Sequence, residues 1–215
     1  MDSRDSKAKR ISMKILTISD QVEPVLYDHF QAERFPDVNL ILACGDLPPK
    51  YLSFLVTMFH VPLFYVRGNH DIRHGGYRPV GCTDLDAKVT VYKGLRILGL
   101  EGSHWYNGKP HQYTERQMRK KIRRIRLQIW RLKGVDIIMT HAPPRHIHDA
   151  EDQCHRGFEC FRDLIDRYAP RYFIHGHMHF SYTDHAQRMT AVNNTKVINS
   201  YGYYIFEIDL GQHSE

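Results

Sequence analysis

Short apolar runs that each break off at a polar cluster restrict this fold more than any other feature of the sequence. Residues 14–19, 40–44 and 63–66 are rich in Ile, Leu and Val, too short for helices, and lack the alternation of a half-exposed strand. Continuous apolar strands are buried on both faces, as in a parallel sheet covered by helices. Helical segments around residues 24–30 and over 51–59, the second behind Pro48-Pro49, give a β-α-β-α-β rhythm. Buried runs return at 136–140 and 171–175, with helices before them over 114–133 and 158–168. A hairpin around Lys93-Gly94 joins 88–92 to 96–100, and β-like runs at 188–192, 196–199 and 203–208 close the chain. Residues 72–87 and 101–110 read as loops.

The strands stop at groups that bind metals or move protons. The stops are Asp20, Gly45-Asp46, Gly68-Asn69-His70-Asp71, His141 and Gly176-His177-Met178-His179. In open parallel sheets the ligand site lies beyond the carboxyl ends of the strands, so these residues share one crevice. A single Asp after a strand usually caps the next helix, and Gly68-Asn69 alone is an ordinary turn. Agreement among all five ends is what favours a common site. Imidazole mixed with carboxylate suits Zn, Mn or Fe and needs no thiolate.

As a set, these motifs resemble the calcineurin-like metallophosphoesterases, whose signature runs D-x-H, G-D, G-N-H-D/E, H and G-H-x-H at successive strand ends. The resemblance spans residues 14–208. It implies an α/β fold, a four-layer αββα sandwich with mixed, largely parallel sheets, as a single domain over 13–215. It also implies a metal-dependent phosphoesterase acting on a phosphate mono- or diester. One metal would be held by Asp46, Asn69, His141 and His177. The other would be held by Asp20, Asp46 and His179, with Asp46 bridging. A hydroxide formed at the metals would attack phosphorus in line, and His70 would protonate the leaving oxygen.

The residue two places after Asp20, a His in the family motif, is Val22. Valine ligates nothing, so the expectation is one tight and one labile site for Mn, Fe or Zn. Val22 also raises the alternative of a catalytically weak scaffold. Asp71 adjoins His70, but sequence neighbours seldom point the same way, so the carboxylate that orients His70 stays unassigned.

Arg145 and His155, in the loop 142–157 that follows His141, are the candidates for substrate contact. Arg67 and Arg73 flank the Gly68-Asn69-His70-Asp71 motif as surface arginines, and His175 reads as a packed supporting residue. The helix 114–133 carries nine Lys and Arg and no acid after Glu115, while Met118, Ile122, Ile125, Ile129 and Leu132 form its apolar stripe. Uncompensated charge on the other face implies an anionic partner, nucleic acid or an anionic lipid surface. A nuclease or RNA-processing phosphodiesterase is therefore a further reading.

The formal charge of +6 agrees with anionic partners without choosing among them. Four cysteines form no CxxC pair, and no apolar run approaches the roughly 20 residues of a membrane span. Residues 1–12 read as a disordered basic tail without a secretory signal, so a cytoplasmic location is expected.

Overall fold

The computed structural model describes residues 12–71, 77–180, 182 and 184–210. Residues 1–11 of the expected tail, and Arg73, lie outside the described residues. The first half of the chain runs β1 (Ser12–Ser19), β2 (Val38–Ala43), α1 (Pro49–Phe59), β3 (Leu63–Tyr65) and β4 (Thr83–Asp84). Then come the hairpin β5 (Lys88–Tyr92) and β6 (Leu95–Leu100), the short pair β7 (Ser103–His104) and β8 (Gln112–Tyr113), and α2 (Glu115–Arg131). The remainder is β9 (Ile137–Thr140), α3 (Glu159–Tyr168), β10 (Tyr172–His175), β11 (Met189–Val192), β12 (Thr195–Asn199) and β13 (Gly202–Asp209).

Two mixed, largely parallel sheets result. The first has the order β13-β1-β2-β3-β4, antiparallel only at β13. The second has the order β11-β12-β10-β9-β6-β5, antiparallel only at its two outer pairs. Alternation along each strand divides the core into layers. Ile15, Leu40 and Leu42 meet Ile137, Met139 and Ile174 between the sheets. Leu16, Ile18 and Ile41 turn outward onto Leu52 and Leu55 of α1. Ile138, Phe173 and Val197 turn the other way onto α2 and α3. Helix, sheet, sheet and helix are thus stacked in that order.

The helix bounds have local causes. α1 opens with Pro49 at its first position and ends where His60 turns left-handed at φ 53°. α2 is shorter than its periodicity suggests because Thr114 caps it in a capping box with Gln117, while Lys133 (φ 58°) and Gly134 (φ 122°) turn the chain out. Arg96, at the start of β6, donates to the carbonyls of Leu132 and Lys133 at 3.1 and 2.5 Å. The carboxyl end of α2 therefore sits at the amino edge of the second sheet, and its amino end lies at the carboxyl edge. The helix expected around 24–30 is a single 3-10 turn, Pro24–Leu26. Tyr27 instead packs edge-on against Tyr51 and Phe54, so side chains fix this segment where a backbone ladder does not. β4 and β7 occupy stretches expected to be loops, and β8 lies just beyond the second of them.

Candidate metal centre

Three of the strand ends leave their sheets through a turn that few backbones tolerate. Asp20, Asp46 and His177 all occupy the left-handed region, at φ 65°, 58° and 68°. A Cβ on Gly45 would stand 2.5 Å from the Gly68 nitrogen, and one on Gly176 would stand 2.6 Å from Asp20 Oδ2. The motif glycines are thus required by close approach of neighbouring turns.

His141 is fully buried, with Nδ1 2.8 Å from the Cys44 carbonyl oxygen. A carbonyl only accepts, so Nδ1 carries the proton and Nε2 faces inward as the second ring nitrogen. Around that Nε2 lie Asn69 Oδ1 at 2.9 Å, His177 Nδ1 at 3.1 Å and Asp46 Oδ2 at 3.4 Å. His177 is fixed in the same manner, because its Nε2 is 2.7 Å from the Cys154 carbonyl oxygen. The Asn69 amide is turned by donating from Nδ2 to Tyr106 Oη at 3.0 Å, which leaves Oδ1 aimed at the imidazoles. Tyr106 is steadied by Gln112, whose Oε1 accepts from the backbone nitrogens of Tyr106 and Asn107.

A carboxylate, an amide oxygen and two imidazole nitrogens thus converge as acceptors in a buried place. Burial and the neighbouring His141 charge push the His177 imidazole down to about 4. Burial also disfavours charge on His141, yet Asp46, with help from Asp20, holds it up at about 9. Burial raises the Asp46 carboxyl, but the attraction of His141 outweighs it and the net shift is well below the ordinary carboxylate range. Either a proton on His141 Nε2 or a cation relieves these facing acceptors. The donor set is one that Zn, Mn or Fe accepts, so the residues fit a divalent ion.

The adjoining half is built differently. The Asp20 side chain is 1% exposed, and its Oδ2 accepts the His177 backbone N–H at 2.8 Å. Its Oδ1 stands 3.3 Å from His179 Nε2, on a side chain 56% exposed and stacked on Tyr201. Asp46 Oδ1 accepts the His70 backbone N–H at 2.7 Å. Val22 is half-buried and packs against the apolar layer under α1.

His70 itself is exposed at the mouth. Asp71 serves the backbone: its Oδ2 accepts from Gly68 and Asp46 nitrogens at 2.7 and 3.0 Å, clamping two ligand turns together. Burial, then the Asp46 charge, raises the Asp71 carboxyl to about 6. His175 is buried, with its ring nitrogens 2.9 Å from Gly176 O and from His148 Nδ1.

The loop after β9 overhangs the crevice. Arg145, its side chain 5% exposed, binds Asp149 at 2.6 Å and Glu151 at 2.7 Å, so its guanidinium is spent on the loop. The His155 ring lies 5.3 Å from that of His177 and is held by Asp152 at 2.9 Å. Asp152, Cys154 and His155 form a second, more exposed cluster with metal-compatible spacing. Arg67 is engaged by Asp84 at 3.3 Å and borders a cavity of about 410 Å³ beside Gly45 and Asp71. Tyr106, Gln112 and the carbonyls of Cys44 and Cys154 have no local sequence signal, and only the folded chain brings them to the site.

The family profile described as calcineurin-like phosphoesterase matches residues 13–181, more than half of the chain. The chain belongs to the calcineurin-like phosphoesterases. Among solved structures it is similar to the Thermus thermophilus protein TT1561, with TM-score 0.61 and 16% identity, covering 89% of this chain and 90% of that one. It is also similar to the calcineurin-like phosphoesterase YfkN from Bacillus subtilis, with TM-score 0.56 and 12% identity over 96% of this chain and 87% of that one. A third similarity is to GAP50, the anchor in the inner membrane complex of Plasmodium, with TM-score 0.55 and 12% identity over 94% and 82%. No curated protein sequence matches the chain significantly. At these identities the structures speak for the calcineurin-like fold alone. No helix among the described residues is long and apolar enough to cross a membrane.

Proposed function

We propose that the chain is a metal-dependent phosphoesterase that hydrolyses a phosphate mono- or diester at the crevice around Asp46. The observation that carries this reading is the convergence of Asn69 Oδ1, His141 Nε2, His177 Nδ1 and Asp46 Oδ2 with both rings locked as inward-facing ligands. Asp46, Asn69, His141 and His177 would hold one ion; Asp20, Asp46 and His179 would hold the other. Divalent ions such as Mn, Fe or Zn supply, when bound there, charge to balance phosphoryl oxygens and acidity to activate water. His70, exposed and tied through its backbone to Asp46, donates the proton that the leaving oxygen needs. His155 borders the bound phosphoester from the overhanging loop, and Arg145 keeps that loop in place.

Val22 stands where the family motif carries an imidazole, and this supports one tight and one labile ion. The four free cysteines, two of them buried, support a reducing compartment such as the cytoplasm. The test is hydrolysis of bis-p-nitrophenyl phosphate by metal-reconstituted protein. Turnover with Mn²⁺ that vanishes in His70→Ala and Asp46→Asn, with unchanged circular dichroism, is the expected result. Absence of turnover with Mn²⁺, Fe²⁺ and Zn²⁺ across mono- and diesters would transfer the chain to the second reading, a binding scaffold, which Val22 favours. The basic helix favours a nuclease among the diesterase readings.

A further inference from the structure

α2 presents a face whose charge the rest of the described chain leaves unbalanced. Arg119 pairs with Glu115 and Asp163, and Lys121 pairs with Asp86 and Glu101. By contrast Arg116, Lys120, Arg123, Arg124, Arg126 and Arg131 are exposed with no carboxylate in ion-pair range among the described residues. A groove of about 680 Å³ between α2 and α3 gathers Arg116, Arg119, Arg123 and Arg126 opposite Arg167. Repulsion within such a face is uncompensated until an anion arrives.

Two further observations choose the anion. Leu127 and Trp130, one helical turn apart, are 54% and 75% exposed amid these cations. An exposed indole beside guanidinium groups is a stacking platform for an unpaired base, which a duplex does not offer. Binding to a lipid surface instead needs a broad apolar helix face, but Met118, Ile122, Ile125 and Ile129 already spend that face on the core. The direction of α2 supplies the rest. Its amino end lies at the carboxyl edge of the strands, where the Glu115 carboxylate accepts from the Glu159 and Cys160 nitrogens. Phe158, one residue earlier, donates to the carbonyl of Pro143, two residues past His141. The amino end of α2 is thus tied to the segment that follows His141, and Trp130 marks the far end.

We propose that the outward face of α2 docks single-stranded nucleic acid and leads its backbone toward the crevice. This names the substrate class of the phosphoesterase reading, on which its hydrolytic step rests. The docking itself is tested without turnover, by fluorescence anisotropy of a labelled oligouridylate 20-mer with the full chain in EDTA. Each phosphate contact adds roughly −0.7 to the slope of log K against log salt. Reversal of Arg116, Arg123 and Arg124 to Glu should therefore flatten the slope by about 2 and weaken binding at low salt on the order of tenfold. Neutral replacement of the same three by Gln, checked by circular dichroism, should flatten the slope similarly, and Trp130→Ala should weaken binding without changing it.

In a separate metal-loaded assay, the 20-mer but not uridine monophosphate should inhibit bis-p-nitrophenyl phosphate hydrolysis, and the triple variants should relieve that inhibition. A salt-independent isotherm, unchanged binding in both triple variants, or capture by phosphatidylserine vesicles without RNA binding would overturn the docking. Binding as expected with no phosphoester turnover would leave the docking standing and remove the phosphoesterase reading.

Discussion

The two halves of the crevice are held to different standards. In one, each imidazole has its tautomer set by a buried carbonyl and the amide is turned by a tyrosine hydroxyl. In the other, a buried Asp20 faces a largely exposed His179, and Val22 gives its side chain to the apolar layer. Ligands fixed before binding lose little freedom when the ion arrives, whereas an exposed imidazole must be ordered at that moment. The proposed contrast between a firm and a loose ion would follow from what lies behind the ligands.

Dismantling the buried half should carry the largest cost. His177→Ala should strip the retained ion on dialysis, measured by plasma mass spectrometry, and lower turnover by at least about 100-fold. Retention of one ion in that variant would put the firm site elsewhere. Val22→His is the converse test. It should tighten the open half by roughly 10–100-fold, read as a lower Mn²⁺ concentration for half-maximal activity and a second retained ion. Two ions surviving chelator dialysis in the unaltered chain would abolish the contrast outright.

Tyr106→Phe removes only the hydroxyl that turns Asn69, and should weaken ion retention by about tenfold, at the lower end of that range. An unchanged affinity would mean that Asn69 is oriented without it. The smallest effect on the ions belongs to Glu101→Gln, whose carboxylate engages His111 and Tyr113 on either side of Gln112 in the sequence. Burial raises the Glu101 carboxyl, but His111, Lys121 and Tyr113 outweigh it and bring it down to about 2, against 4.5 unfolded. A depressed acid stabilises above its unfolded value and loses that contribution as pH falls toward its folded value. The variant should thus lose up to about 3 kcal/mol in urea denaturation at pH 7, and the gap should close between pH 4.5 and 2. A gap independent of pH would show that packing, and not charge, is what Glu101 supplies.

Much of the fold was legible because parallel strands under helices must be continuous apolar runs, and 14–19, 40–44, 136–140 and 171–175 have no other use. Two of the three left-handed strand exits carry a glycine in sequence, Gly45-Asp46 and Gly176-His177, whereas Asp20 follows Ser19 and has no such mark. What sequence hid depends on distant pairing. Asp71 adjoins His70 with no role assigned from sequence, and it bonds two backbone nitrogens, one of them 25 residues away. Arg145 looks like a phosphate ligand until Asp149 and Glu151 are seen to occupy it. The two-residue strands and the 3-10 turn are too short to carry a period of their own.

The carbonyl of Cys154 is a mechanical coupling. It belongs to the overhanging loop, yet it alone decides which nitrogen of His177 bears hydrogen. Whatever lifts that loop releases the ring, and whatever grips the ring draws the loop down, by equal free energies in both directions. Amide hydrogen exchange over 150–157 should therefore slow when Zn²⁺ or Mn²⁺ is added, with no substrate present. Equal exchange with and without the ion would uncouple lid from ligand.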